Sequence, residues 1–180
     1  MQGWIDNPKE LQKFLRGLCP PPVVAPTPEP PLDFLVRVDR SVKPTYPNWM
    51  KKVMHPELEG TGPAEYNLET QVEEWLHDDQ KSEVIHGQVI YDYLKKRDML
   101  ADQLGLADLL AIQAKGIKVF RNLFKSFKSK AVFGWRSVVE VRNGHLDVPC
   151  LYEDGDWVVL SWRWLDNGWD SRRPALRFGK

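Results

Sequence analysis

The segment VVLSWRWLDNGWDSRRPALRF, residues 158–178, decides the predicted fold, because it combines an aromatic strand, an irregular loop and a short closing strand. Alternate side chains of an extended strand face opposite sides. One side receives Val158, Leu160, Trp162 and Trp164, and the other receives Val159, Ser161 and Arg163. We therefore expect one face of this strand to be core and the other to be displayed.

Tryptophan is concentrated in the same part of the chain. Four of the eight tryptophans lie between Trp157 and Trp169. A buried tryptophan removes about 150–250 Å² from water, so such residues can anchor a long loop without help from its polar side chains. We expect Trp162 and Trp164 to serve as such anchors, with Trp169 as a further anchor in the loop LDNGWDSRRP, residues 165–174. The alternative, an aromatic core strand followed by an ordinary turn, stays open at this point.

Elsewhere in the chain, the sequence predicts both strands and helices. Val139 and Val141 face Leu146 and Val148 across Asn143-Gly144, a hairpin signal in which both turn residues take positive φ. A second turn is predicted over residues 153–156, and an N-terminal strand over residues 34–38. The helical period predicts helices over residues 68–78, with Asn67 as N-cap, and over 84–104 and 106–127. This order predicts an α+β fold with an antiparallel sheet.

The N-terminal part has a different composition. Seven of the 14 prolines fall within residues 20–31, so we expect a semi-rigid linker over 19–31. Residues 1–18 show helical spacing of apolar side chains and predict one short amphipathic helix. The domain itself is predicted over residues 32–180.

The composition of the chain excludes several classes of protein. Lys plus Arg and Asp plus Glu each total 25, and 42% of the chain is hydrophobic, as in folded proteins rather than disordered or fibrous ones. Residues 1–18 lack the pattern of a secretory signal, and no apolar run approaches the roughly 20 residues of a bilayer span, so we expect a cytoplasmic protein that is not inserted in a membrane.

The sequence also lacks the motifs of common catalytic sites. It contains no Gly-rich phosphate loop, nucleophile elbow or HExxH motif. Cys19 and Cys150 lack metal-ligand spacing, and Cys150 has no obvious base partner, so we expect it to be buried and inert. These features predict a protein that is not an enzyme and that uses no metal and no cofactor.

Residues 158–178 resemble the variable region of target proteins of diversity-generating retroelements. In that family tryptophan, leucine and a closing ALRF-like strand stay fixed, while the positions between them vary. The elements rewrite adenines in a template, so an AAC codon never becomes a codon for Lys, Glu, Gln, Met or Trp. The positions between the framework residues here carry none of these five amino acids.

The resemblance implies a division of the segment into ligand-binding and scaffold residues. The implied variable, ligand-binding residues are Ser161, Arg163, Asp166, Asn167, Gly168, Asp170, Ser171, Arg172 and Arg173. The implied scaffold residues are Trp162, Trp164, Leu165, Trp169, Pro174, Leu176 and Phe178. The three arginines of the first set would supply bidentate donors suited to carboxylate or phosphate groups.

The resemblance also implies a C-type lectin-like fold, in which an N-terminal strand pairs with the C-terminal strand and helices precede a small antiparallel sheet that bears the ligand loop. Residues 34–38 would then pair with residues 175–178. The implied function is non-enzymatic binding of a protein or another macromolecule by a monomer. Asp166, Asn167 and Asp170 alone do not make a convincing calcium site.

Two other functions compete with this hypothesis. Residues 109–139 contain seven Lys or Arg and no acid, so a basic surface from Lys115 to Arg136 could bind nucleic acid. Residues 57–83 hold nine acids, however, and the two patches could simply face each other or water. In the third hypothesis the chain is a structural or regulatory domain whose N-terminal helix docks on a partner.

Overall fold

The computed structural model describes residues 31–126 and 131–179, together with Lys9 and Gln12–Phe14, and the side chains of 124–126 are not described. The chain divides into two units, Met1–Pro31 and Leu32–Lys180. The predicted helix over residues 1–18 and the predicted linker over 19–31 lie almost entirely outside the described residues.

Within the second unit, the described ranges form eleven strands and three α-helices. The strands are β1 (Leu35–Arg37), β2 (Met50–Val53), β3 (Glu65–Asn67), β4 (Val72–Trp75), β5 (Ile85–His86), β6 (Ala131–Phe133), β7 (Val139–Val141), β8 (Leu146–Asp154), β9 (Trp157–Trp164), β10 (Gly168–Trp169) and β11 (Ala175–Phe178). The helices are α1 (Gly87–Lys96), α2 (Leu106–Ala114) and α3 (Ile117–Ser126). The fold is therefore α+β with antiparallel sheets.

A five-stranded antiparallel sheet is organised around β8. One edge of β8 pairs with β9 from Asp147↔Trp164 to Asp154↔Trp157, and the other edge pairs with β7 and then with β6. Strand β2 adds to the far side of β7. The predicted turn after β8 is confirmed: Gly155 takes φ +56° in a two-residue connection, where a first-position glycine is favoured.

The predicted hairpin at Asn143-Gly144 is also confirmed, but its register and its turn differ from the prediction: Val139 lies opposite Asp147 and Glu140 opposite Leu146. The Gly144 N–H donates to the Val141 carbonyl at 2.9 Å, and the Val141 N–H donates to the His145 carbonyl at 2.9 Å. Gly144 has φ +86°, whereas Asn143 does not take positive φ. The loop therefore has three residues with glycine in the left-handed position, so the expectation of two positive φ values was wrong.

The predicted helix over residues 68–78 was wrong. The Asn67 carboxamide oxygen accepts hydrogen bonds from the Glu69 and Thr70 N–H groups, as a cap would, but the chain continues as a turn. Strand β4 follows and pairs with β11, with the Arg177 Nε 2.8 Å from a Glu73 carboxylate oxygen. A partner strand some hundred residues away thus overrides the local helical pattern.

The predicted pairing of the N-terminal and C-terminal strands was also wrong. Strand β1 forms as expected, but its partner is β3, with Val36 opposite Tyr66. The reason is that β3 and β4 arise in the region assigned to the first helix and its approach, and they occupy the edges of β1 and β11. The Tyr66 and Phe178 rings meet edge-on with centroids 4.9 Å apart, so side chains bring β3 and β11 together.

The other two predicted helices are shorter than expected because the backbone turns at specific residues. Helix α1 ends before Asp98, which has φ +55° and cannot continue a right-handed helix. The helix predicted over 106–127 is divided into α2 and α3 by Gly116, which has φ +81°. Glycine takes this conformation without the steric cost that other residues incur.

The five-stranded sheet lies between two apolar clusters. Val132 and Leu151 belong to a cluster that includes Leu109 and Phe120 of the helices. Phe133, Val148 and Cys150 belong to a second cluster that includes Trp169 and residues of α1. Because alternate residues of a strand face opposite sides, the two clusters cover opposite faces of the sheet. The loop of residues 165–174 packs on the second of these faces.

Candidate ligand-binding site

Trp169 fixes the loop to the sheet. Its side chain is fully buried, and its ring centroid lies 4.6 Å from that of Phe133 and 4.9 Å from that of Trp135. Its backbone belongs to β10, which pairs with β5 with Trp169 opposite Ile85. The loop is thus held by one aromatic side chain and by backbone pairing on either side of it.

Two residues that sequence analysis did not single out support this loop. Gly87 leaves space for the Trp169 indole, since a Cβ at position 87 would lie 2.3 Å from Trp169 Nε1. The buried Gln80 donates from Nε2 to the carbonyl oxygens of Asp170 at 2.9 Å and Arg173 at 2.8 Å. A glycine inside a predicted helix could have indicated close packing, but nothing local marked Gln80.

A pocket of about 360 Å³ lies between the loop and the sheet. Its sheet side consists of Ala131, Phe133, Cys150, Tyr152, Ser161, Trp162 and Arg163, and its loop side consists of Asn167 and Arg173. This size falls in the range of small-molecule and side-chain pockets. Four of the nine predicted variable residues therefore meet in one concave site.

Ser161 and Arg163 enter the pocket from the strand face expected to be displayed. Strand pairing places Ser161 opposite Cys150 and Val159 opposite Tyr152, and side chains directly opposite each other share a face. On the other face of the strand, Val158 and Leu160 pack against the helical cluster. The division of β9 into a core face and a displayed face therefore agrees with the pairing.

Two guanidinium groups converge at the loop side of the pocket. Arg163 Nη2 and Arg173 Nη1 donate to the same carbonyl, that of Gly168, at 3.3 and 2.9 Å. The Arg163 guanidinium lies 5.3 Å from the Trp169 ring centroid. Burial, and then repulsion by Arg173, lower the pKa of Arg163. The pair therefore concentrates positive charge in a partly buried site.

The other predicted variable residues lie around the pocket rim. Asp166 is exposed, and its carbonyl oxygen lies 2.8 Å from His86 Nδ1. Ser171 and Arg172 are exposed, and Arg172 holds the Asp170 carboxylate through Nε at 3.0 Å and Nη2 at 2.5 Å. A side chain at Gly168 would place its Cβ 2.7 Å from Val84 Cγ1, so variation there requires Val84 to move.

The predicted scaffold residues differ in burial. Leu165, Pro174 and Leu176 are buried with Trp169, and Phe178 is half-buried. Trp162 is half-buried and packs on the rings of Tyr46 and Trp49. Trp164 is 39% exposed and stacks on the His145 ring at 4.4 Å. The expectation that Trp164 is a buried anchor was wrong, because it lies at the end of β9 beyond the core.

Cys150 lies in the floor of the pocket as a free, buried thiol. Burial raises the pKa of Cys150 to about 11, so the thiol stays protonated at neutral pH. A protonated thiol is a weak nucleophile and behaves as a small apolar group. Its contribution to the pocket is therefore apolar surface.

The alternative basic surface is largely neutralised where its side chains are described. Arg136 is fully buried, with its guanidinium donating to backbone carbonyls, so it does not belong to a surface. Lys115 pairs with Asp33 at 2.6 Å. Arg121 pairs with Glu153 at 2.8 Å and with Asp156 at 3.2 Å. The side chains of Lys125, Lys128 and Lys130 lie outside the described residues.

Two searches of the described part of the chain gave no candidates. Within that part, no three His, Cys, Asp or Glu side chains are grouped so that they could hold a metal ion. No helix in the same residues combines the length and apolar character needed to cross a bilayer.

Comparisons of the whole chain with protein-family models, with curated proteins and with solved structures found no match.

Proposed function

We propose that this chain is a ligand-binding protein of the retroelement-diversified kind, in which residues 158–178 form a variable surface on a C-type lectin-like scaffold. One observation carries the proposal. The framework residues Leu165, Trp169 and Leu176 are buried, whereas the interleaved Ser161, Arg163, Asn167 and Arg173 line one pocket, and Asp166, Ser171 and Arg172 are exposed. Framework and variable positions alternate along the sequence. In the structure, these framework side chains lie in the core, and the variable side chains named here lie in the pocket or on the surface.

The loop conformation depends mainly on contacts that displayed side chains do not make. Gln80 binds main-chain carbonyls, and β10 pairs with β5 through the backbone. The Trp169 side chain supplies the apolar anchor. Backbone atoms are the same whatever the side chain, so these contacts survive substitution at most displayed positions. Gly168 is the exception, because Val84 lies against it.

The C-type lectin-like scaffold is part of the same proposal. Its support is an antiparallel sheet in the C-terminal half of the chain, with a long loop and α1 on one face and α2 and α3 on the other. The pairing of β1 with β11 that this plan includes is replaced by an indirect link, in which Tyr66 of β3, the partner of β1, contacts Phe178 of β11.

A combinatorial substitution experiment tests the proposal. Ser161, Asn167, Ser171 and Arg172 are randomised together in the full chain, with Gly168 kept. We expect most variants to remain folded with a free energy of unfolding within about 1 kcal/mol of the parent, as for surface substitutions away from caps and cores.

The matched control is an equally large library at the buried framework positions Leu165, Trp169 and Leu176, which we expect to yield few folded variants. Selection of the first library against unrelated protein targets should then return binders that differ at the randomised positions. If randomising the displayed positions unfolds the chain as often as randomising the framework, the proposal is refuted.

A further inference from the structure

The pocket has an excess of positive charge on its loop side. Arg163 and Arg173 meet at the Gly168 carbonyl, and Arg172 and Arg173 lie beside one carboxylate, that of Asp170. Arg172 already holds this carboxylate through two nitrogens, and Arg173 Nη1 lies 4.0 Å from it. Among the described residues that line the pocket itself, none is acidic. Asp170 is therefore shared by Arg172 and Arg173, and among the described residues Arg163 forms no ion pair.

The hydrogen-bond donors of these groups are also underused. The shared acceptor, the Gly168 carbonyl, takes one N–H from Arg163 and one from Arg173, and it carries no formal charge. Arg163 Nε is buried without a hydrogen-bond partner. A guanidinium offers five donors in a fixed plane. Uncompensated charge in a partly buried site costs free energy, and an oxyanion in the pocket would lower that cost.

Apart from the polar Ser161 and Asn167, the rest of the pocket is apolar or aromatic. Phe133 and Tyr152 contribute rings from the face of the sheet that also carries Ser161, and Cys150 contributes a protonated thiol. Such a wall favours a ligand that carries an apolar group next to its charged group. The sheet side of the pocket thus differs chemically from the loop side, where the arginines lie.

We infer that this pocket binds a carboxylate or phosphate group between Arg163 and Arg173 and holds the aromatic or apolar carrier of that group against Phe133 and Tyr152. The inference rests on the proposed ligand-binding role of the pocket and adds the chemical class of the ligand. Arginine forms planar, two-point contacts with both kinds of oxyanion, so the recognition chemistry is the same for the two.

Binding of small probes to the full chain tests this inference. Benzoate, phenyl phosphate, inorganic phosphate and neutral benzamide are titrated into ¹⁵N-labelled protein and followed by NMR. For fragments of this size we expect a Kd on the order of millimolar for the better aromatic anion, and binding at least about tenfold weaker for benzamide. Benzoate and phenyl phosphate distinguish a carboxylate source from a phosphate source, and inorganic phosphate measures the contribution of the carrier.

Variants show whether the arginines cause the binding. Arg173→Gln should weaken binding of the aromatic anions by about tenfold or more, since charge-assisted hydrogen bonds are lost. Arg142→Gln is the matched control, because Arg142 is exposed in the turn between β7 and β8, outside the pocket, and its loss changes the net charge equally. Arg173→Lys, which keeps the charge but not the planar fork, should fall between parent and Arg173→Gln.

Equal binding of benzamide and benzoate, or equal losses from Arg142→Gln and Arg173→Gln, would overturn the inference. If the glutamine variant does not give a folded spectrum, the lysine variant decides, since unchanged affinity there would exclude two-point recognition. The combinatorial experiment can fail while the anions still bind, and it can succeed while they do not. The inference and the proposed function are therefore tested separately.

Discussion

The tryptophans between Trp157 and Trp169 range from fully buried to largely exposed, so their replacement by alanine should reduce the free energy of unfolding by different amounts. Trp169 is 0% exposed and Trp157 is 76% exposed. Full burial of about 150–250 Å² at about 25 cal/mol per Å² gives roughly 4–6 kcal/mol as an upper bound. We therefore expect Trp169→Ala to reduce the free energy of unfolding by about 3–5 kcal/mol, as large core truncations do.

Alanine substitutions of two more exposed tryptophans, Trp157 and Trp164, provide a graded control. Trp157→Ala should cost no more than about 0.5 kcal/mol, as surface substitutions usually do. Trp164→Ala should fall between them, at about 1–2 kcal/mol, because its ring stacks on His145 while 39% of its surface stays exposed.

Urea unfolding of the three variants, with thermal melts as a second measurement, checks this order. For a chain of this length 1 kcal/mol corresponds to about 2–4 °C, so Trp169→Ala should lower the Tm by about 6–20 °C. If Trp169→Ala and Trp157→Ala differ by less than about 1 kcal/mol, the loop is not anchored in the way described here.

Three further predictions concern the loop and its supports. Gly87→Ala should destabilise the fold by about 2 kcal/mol or more in urea unfolding, since the new Cβ meets the Trp169 indole, whereas Gly144→Ala, in open space at φ +86°, should cost only about 1 kcal/mol. Gln80→Ala should cost about 1–3 kcal/mol and speed hydrogen exchange in residues 170–173, because two carbonyls lose their donor; unchanged exchange would contradict this. The hydrogen bond from Arg172 lowers the pKa of Asp170 below its ordinary value of 3.8, so its carboxylate stabilises the fold above pH 3.8 and loses this effect as the pH falls further; Asp170→Asn should remove that part of the pH dependence of unfolding.

The elements that the sequence predicts well are those with local causes. Both turns flanking β8 follow from glycine in short connections, and β1 follows from alternation of apolar side chains. The failures have distant causes. Strand β4 forms because β11 pairs with it, and the two are far apart in sequence, so the local helical pattern of residues 68–78 was misleading.

In the candidate site, too, features with local causes could be predicted from the sequence and features with distant causes could not. A two-residue turn after β8 places Cys150 opposite Ser161 and Tyr152 opposite Val159, so much of the sheet side of the pocket could have been derived from the predicted turn. The loop side could not, because the shape of the loop depends on Gln80, some ninety residues before the carbonyls that it binds. The convergence of Arg163 and Arg173 on one carbonyl follows from that shape.

The proposed variation of residues 158–178 by adenine-directed rewriting leaves a record in the gene, so sequencing the gene and its surroundings tests it. The account predicts a near-copy of the segment that encodes Val158 to Phe178, next to a reverse transcriptase gene, with differences concentrated where the copy carries adenine. Those differences should fall at the nine displayed positions from Ser161 to Arg173 and spare Trp162, Trp164 and Trp169. A complete locus without such a copy would contradict the account.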